Sequence, residues 1–375
     1  MPVHRVFPTA PTYSLSTRVA AVAARSMTAL PSAVLRVFGA TKNSAGNTLD
    51  ADVAATLRAL AVIESRDFAD VRVPIGREII DEEAYLGAGP SIPVGTVYEE
   101  DVVTPVDFDT GADSVRVRVY RPDGAVPTAE LPTLVYFHGG GWTLGSLDSH
   151  DNTCRYFCQR GEVMVISVDY RLAPEHPFPA GLMDCVAVVK LALAGEIQGV
   201  DANRVAVGGD SAGGNLAAAV CMYLRDEGAA QPQLQMLFVP AVDLANINEE
   251  GCQTASGREF ADGFFLTGKH MSWYADHYVP EPADRTHPYV SPLLSDDFSD
   301  VPPAYIAVAG FDPLRDEGLA LAEALAKAGV RVTVRNHTGL VHPFVNSMGV
   351  WAGARRALDE AVGALRMELG IGTGN

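Results

Sequence analysis

From about residue 97 the chain carries two kinds of hydrophobic pattern. The segments "TVYEEDVVTPVDF" and "SVRVRVYRPDG" alternate apolar and polar residues, as antiparallel strands with one solvated face do, and the turn-rich "DTGAD" separates them. Six shorter runs then lack alternation: "TLVYFH", "VMVISVDY", "RVAVGGD", "QMLFVP", "AYIAVAG" and "RVTVRNH". Strands buried on both faces read this way. Helical segments such as "GLMDCVAVVKLALAG", "AGGNLAAAVCMYLRDEG" and "EGLALAEALAKAGV" lie between most of them. The expected class is α/β, with a mostly parallel eight-stranded sheet flanked by helices.

Before residue 90 the spacing is helical. In "LDADVAATLRALAVIESRD", Val53, Leu57, Leu60, Val62 and Ile63 fall near one face, with Asp50 or Asp52 as the cap. The early run "VAAVAA" is bracketed by Arg18 and Arg25; it is too short for a signal-peptide core or a bilayer span and predicts an amphipathic helix. The Gly- and Pro-rich "LGAGPSIPVGT" closes this region. A further interval, residues 245–300 with "REFADGFFLTGKHMSWYADHYV", is too long for a loop and predicts an insertion. The expected division is therefore an N-terminal helical region over 1–90, a core over 91–244 and 301–375, and the insertion between them.

Composition narrows the partners. A hydrophobic share of 48% in 375 residues supplies a large core, and a net charge of -18 repels nucleic acid and anionic membrane surfaces, leaving neutral or cationic small molecules. The five cysteines, Cys154, Cys158, Cys185, Cys221 and Cys252, include no CxxC pair and no zinc-type spacing. They fit small buried hydrophobes in a reducing, cytoplasmic setting.

The chemistry concentrates at "VAVGGDSAGGNLAAAV". A strand, a sharp G-x-S-x-G turn (Gly209 to Gly213) and a helix make a nucleophile elbow, in which Ser211 sits at a strained turn and its neighbours must lack bulk. A Gly-rich turn that only packs is the plainer alternative. The loop "HGGGW" after a buried strand leaves backbone N–H groups uncovered, so Gly140, Gly141 and Ala212 are the candidate oxyanion donors. A phosphate loop would need the Lys-Ser/Thr pair that is missing here. His138 is read as orienting this loop through hydrogen bonds.

Triad order then asks for an acid and a distant histidine. Asp312 stands just beyond a buried strand; Asp316 and Glu317 begin the next helix, where they suit its dipole. Of His337, at the end of the last strand, and His342, in the loop after it, the loop position favours His342 as base.

With "HGGGW", "DYRLAPEHPFPA", "GDSAGG", "SPLL", "DPLRDEG" and a terminal histidine loop in this order over residues 95 to 365, the chain resembles the hormone-sensitive-lipase-like carboxylesterases of the α/β-hydrolase superfamily. The resemblance implies a Ser211–His342–Asp312 triad and hydrolysis of short- to medium-chain esters through an acyl-enzyme. It also implies a cap built from the N-terminal helices and residues 245–300, and a supporting loop at Asp169 to Ala180 whose charged residues are structural. No metal or organic cofactor is required. Trp142, Phe264 and Phe265 are candidates for the substrate pocket, with Phe260, Trp273 and Tyr274 as further cap aromatics; burial of the insertion is the competing use of each. Amidase, lactonase and deacetylase readings share the same triad, whereas a small-ligand receptor of the resembling kind would have lost part of it; a homodimer stays open. The chain departs from the group by placing Pro343, rather than the commoner glycine, after the histidine.

Overall fold

The alternating stretch forms β1 (Thr96–Val103) and β2 (Ser114–Arg121), an antiparallel pair in continuous register from Thr96–Arg121 to Val103–Ser114. The computed structural model describes residues 13–372 apart from 39, 63–65, 106–107, 109–110 and 249–250. Ahead of β1 lie α1 (Leu15–Thr28), α2 (Ser32–Leu35), α3 (Ala51–Val62) and α4 (Val73–Ala88). Helix α1 forms where "VAAVAA" predicts one, but it packs on α3 and α4 while burying Ala21 and leaving Leu15, Val19 and Val22 exposed. In α3 the inward face is Val53, Ala54 and Ala55, and Leu60 faces solvent; Ile63 lies outside the described residues.

The non-alternating runs become the remaining strands of the main sheet. In chain order these are β3 (Leu131–Phe137), α5 (Asp151–Gly161), β4 (Met164–Val168), α6 (Ala180–Leu193), β5 (Val200–Asp210), α7 (Ala212–Asp226) and β6 (Leu234–Phe238). A two-stranded hairpin of β7 (Ile247–Asn248) and β8 (Gly251–Cys252) follows, with α8 (Ala255–Glu259) and α9 (Gly268–Tyr278). The chain returns through β9 (Ala304–Phe311), α10 (Arg315–Lys327), β10 (Val332–Val341) and α11 (Ala352–Glu368). The eight strands are ordered β1-β2-β4-β3-β5-β6-β9-β10, antiparallel at β1–β2 and β2–β4 and parallel elsewhere.

Period-two alternation now sends neighbouring residues into two different cores. Val135 and Phe137 of β3 face the core shared with α6, α7 and α10, whereas Leu134 and Tyr136 face the one shared with α5 and α11. Both faces are covered, so the runs had no polar side to show. Helices α5 and α11 were not singled out in the sequence, yet they close the second core with Cys154, Phe157, Ala357, Leu358 and Leu365. Asp52 of α3 accepts from the Ala352 N–H at the start of α11, 2.9 Å, and so ties the N-terminal helices to the last one.

Candidate active site

The central strand β5 ends at Asp210, and α7 begins at Ala212. Ser211 between them has φ 56° and ψ -117°, a backbone that non-glycine residues rarely adopt. The turn is held on both sides: the Ser211 N–H donates to Phe238 O at 2.8 Å, and Asn215 N–H to Ser211 O at 3.0 Å. Gly209 and Gly213 are required by crowding, since a Cβ on either would strike the Phe137 carbonyl. The serine side chain is thereby presented beyond the sheet edge.

His342 follows directly on β10, which runs four residues past the point where "RVTVRNH" stops at His337. The register breaks between His337 and Val341, and that break carries His342 over the elbow. Its Nε2 lies 2.9 Å from Ser211 Oγ, and its Nδ1 lies 3.0 and 3.1 Å from the two Asp312 oxygens. Asp312, fully buried just past β9, also accepts from the Leu314 N–H at 2.9 Å. His337 stays behind on the strand beside Phe344, where burial pushes its pKa down. Pro343 occupies the first turn of a short 3₁₀ segment, His342–Asn346, where a missing N–H costs no hydrogen bond.

Opposite the serine the chain runs through positive φ at Gly140 (117°), Gly141 (59°) and Trp142 (56°). The N–H groups of Gly140, Gly141 and Ala212 donate to no acceptor among the described residues, and the free ones of Ala212 and the turn after it belong to a helix N-terminus. Gly141 admits no side chain, because a Cβ there would enter the Tyr274 ring. His138 lies beneath this loop, fully buried and stacked on Tyr170, with Nδ1 donating to Gly139 O at 2.9 Å. Burial drives its pKa from 6.5 to about 3, so it stays neutral. The Asp169–Ala180 loop braces the same region: Ala173 N–H donates to Trp142 O, and Arg77 of α4 spans Thr143 O, Ala173 O and the Glu175 carboxylate.

A cleft of about 130 Å³ opens above Ser211. Its walls are Ile80 and Ala84 of α4, Gly139 to Gly141, Ser149, His150, Asp210, Leu266, Tyr274, His342, Pro343 and Asn346. The three residues expected in the pocket are elsewhere. Trp142 is buried flat against Tyr278, centroids 4.4 Å apart; Phe264 packs on Phe260 and Phe311; Phe265 packs on Trp351. These rings seal the 245–300 segment onto the core, which is the competing use of an apolar side chain. Ile80 and Ala84 were missed because one helical face gives no sign of which partner it meets. Asp316 and Glu317 also do more than meet a helix dipole, accepting from the Ser256 and Val242 N–H groups at 2.8 and 2.7 Å. Among the described residues no cluster of three or more His, Cys, Asp or Glu side chains is placed to hold a metal ion, and no helix is long and apolar enough to cross a membrane.

A strained residue at a strand–helix turn, on the central parallel strand of a sheet in this order, is the arrangement of an α/β-hydrolase. Comparison with known proteins agrees. Residues 134–346 match the family described as alpha/beta hydrolase fold. The chain is 41% identical over 337 residues to the carboxylic ester hydrolase LipN of Mycobacterium tuberculosis, covering 86% of this chain and 84% of that one. It is 33% identical to an ethyl acetate hydrolase of Pseudomonas putida, over 86% and 100% of the two chains. Among solved structures, the ester-hydrolase EH1AB1 from the metagenome of Lake Arreo, complexed with a bipyridine phosphonate derivative, superposes with a TM-score of 0.78 at 39% identity, over 86% and 99% of the chains. The chain belongs to the α/β-hydrolase family and, within it, to the hormone-sensitive-lipase-like group.

Proposed function

We propose that the protein is a serine carboxylesterase that hydrolyses short- to medium-chain carboxylic esters through an acyl-enzyme on Ser211. The observation that carries this is the unbroken hydrogen-bond chain from Ser211 Oγ through His342 to Asp312, beside the Gly140, Gly141 and Ala212 N–H groups that donate to no acceptor among the described residues. In this reading His342 Nε2 takes the Ser211 proton as Oγ attacks the acyl carbon, and Gly140, Gly141 and Ala212 hold the oxyanion. His342 then gives the proton to the leaving alcohol, and water repeats the sequence on the acyl-enzyme. Asp312, which accepts from Nδ1, keeps the imidazole in the tautomer whose Nε2 is a base and stabilises its positive charge. No step calls for a cofactor.

We read α1 to α4 together with residues 245–300 as a cap, because Ile80, Ala84, Leu266 and Tyr274 from these segments wall the cleft. The five buried, unpaired cysteines support a cytoplasmic location. A phosphonate ester should label Ser211 in a 1:1 ratio and abolish ester hydrolysis, with the label located by peptide mass spectrometry. Labelling elsewhere with Ser211 untouched would overturn the assignment. One acyl group presented as ester, amide and lactone should be turned over fastest as the ester.

A further inference from the structure

The cleft contains a second histidine that the mechanism above does not use. His150 sits at the start of α5, 3% exposed, and its Nδ1 lies 2.8 Å from Ser149 Oγ. That hydroxyl gives its own hydrogen to Ser146 O and accepts the Ser146 N–H, so Nδ1 is the donor. The other ring nitrogen, Nε2, is a meeting point of three loops. It lies 3.2 Å from the Gly139 N–H, 3.1 Å from the Asp210 carboxylate and 2.8 Å from Asn346 Nδ2. Gly139 adjoins the oxyanion glycines, Asp210 adjoins Ser211, and Asn346 ends the 3₁₀ turn that His342 begins.

Nε2 cannot satisfy all three neighbours at once. Without a proton it accepts from Gly139 and Asn346 and faces the Asp210 carboxylate lone pairs. With a proton it donates to Asp210 and gives up the Gly139 N–H. Asp210 is prepared for such a donor: it is already fixed by the Tyr136 hydroxyl at 2.7 Å, and although burial pushes its carboxyl upward, the His150 charge and the bonds from His150 and Tyr136 bring it below the usual range. The other titratable groups facing His150 are His138 across the oxyanion loop, centroids 5.7 Å apart, and Asp81 of α4, which accepts from Ser146 Oγ.

We propose that His150 is a positioning residue for the hydrolysis: its Nε2 sets the spacing between the oxyanion glycines, the nucleophile elbow and the histidine loop, and the proton on that nitrogen decides whether it holds Gly139 or Asp210. This rests on the ester-hydrolase reading of the same cleft. The consequence falls on the transition state, because a shifted glycine loop misplaces donors aimed at the oxyanion while leaving the apolar walls intact.

The test is steady-state hydrolysis of a p-nitrophenyl acyl ester by the full chain, from pH 5 to 9, for wild type, His150→Gln, Asp210→Asn and the double variant, with phosphonate labelling of each. The expected result is a kcat lower by on the order of 10- to 100-fold in either single variant with KM within about threefold, and little further loss in the double variant, since the two act through one bond. Asp210→Asn keeps the side-chain shape and reads the same link where a His150 variant loses cooperative unfolding. Single variants with wild-type kcat, or fully additive losses in the double variant, would each overturn the proposal. Failure to label Ser211 in wild type would instead sink the ester-hydrolase reading itself, so the two failures are distinct.

Discussion

Ser211 has a backbone that costs free energy, and the surrounding contacts make it keep that conformation; the strain is repaid only if the Oγ must stand clear of the strand. Its partner histidine was the harder residue to choose, because "VRNHTGLVHPF" holds two and both lie near the end of the last strand. The choice rests on geometry: His342 reaches Ser211 Oγ at 2.9 Å, while His337 is held beside Phe344. His342→Ala should therefore lower kcat by on the order of 10⁴- to 10⁶-fold, and a double change with Ser211→Ala should cost little more. His337→Ala should leave kcat within about threefold and show its effect in thermal unfolding. A large kcat loss in His337→Ala with an active His342→Ala would reverse the assignment. Ser211, Asp312 and His342, which lie in one hydrogen-bonded chain, were legible because each stands beside a strand end with a motif of its own. The walls of the cleft were not: Phe264 and Phe265 carry the same aromatic signal whether they meet a ligand or Phe311 and Trp351.

At the scale of elements, the Gly140–Trp142 loop and helix α9 form one unit. Three successive residues, Gly140 to Trp142, take positive φ, and Tyr274 of α9 fills the space beside Gly141, so the loop has no room to relax outward. Gly141→Ala should consequently lower kcat by on the order of 10²-fold or more, with unfolding still cooperative. Tyr274→Ala in the same background should recover part of that loss by vacating the space the new methyl needs. If Gly141→Ala retains full activity, the donor role of this loop falls. The sheet itself was readable from doubly buried runs, and the elbow from a strand that switches into Ala-rich helix. What pattern alone could not supply was the meeting of α4 with the cleft. Ile80 and Ala84 reach Ser211 through tertiary packing across more than 120 residues of chain, which no local period encodes.

For the whole molecule the charge balance and the buried site work against each other as pH falls. The chain carries a net charge of -18 at pH 7, so protonating surface carboxylates relieves self-repulsion and by itself favours the folded state. The oxyanion loop opposes this. His138 titrates near its ordinary 6.5 when unfolded but only at about 3 when folded, since burial disfavours its charged form. Between those values the unfolded chain binds one proton more than the folded one. Stability is thus fully present above pH 6.5 and is lost as pH falls toward 3, at a slope approaching about 1.4 kcal/mol per pH unit from this residue alone. Asp210 adds to the loss at the acid end, because its carboxyl is held below its ordinary value of 3.8 in the folded state. Urea unfolding at several pH values between 4 and 7 should show the midpoint falling with acidity. The slope should be shallower in His138→Gln, which keeps a hydrogen-bonding side chain that cannot take up the proton. That variant should also start from a lower midpoint at pH 7, having lost the stack on Tyr170. A midpoint independent of pH in wild type, or an equal slope in both proteins, would show that the imidazole beneath the oxyanion glycines is not kept neutral by burial.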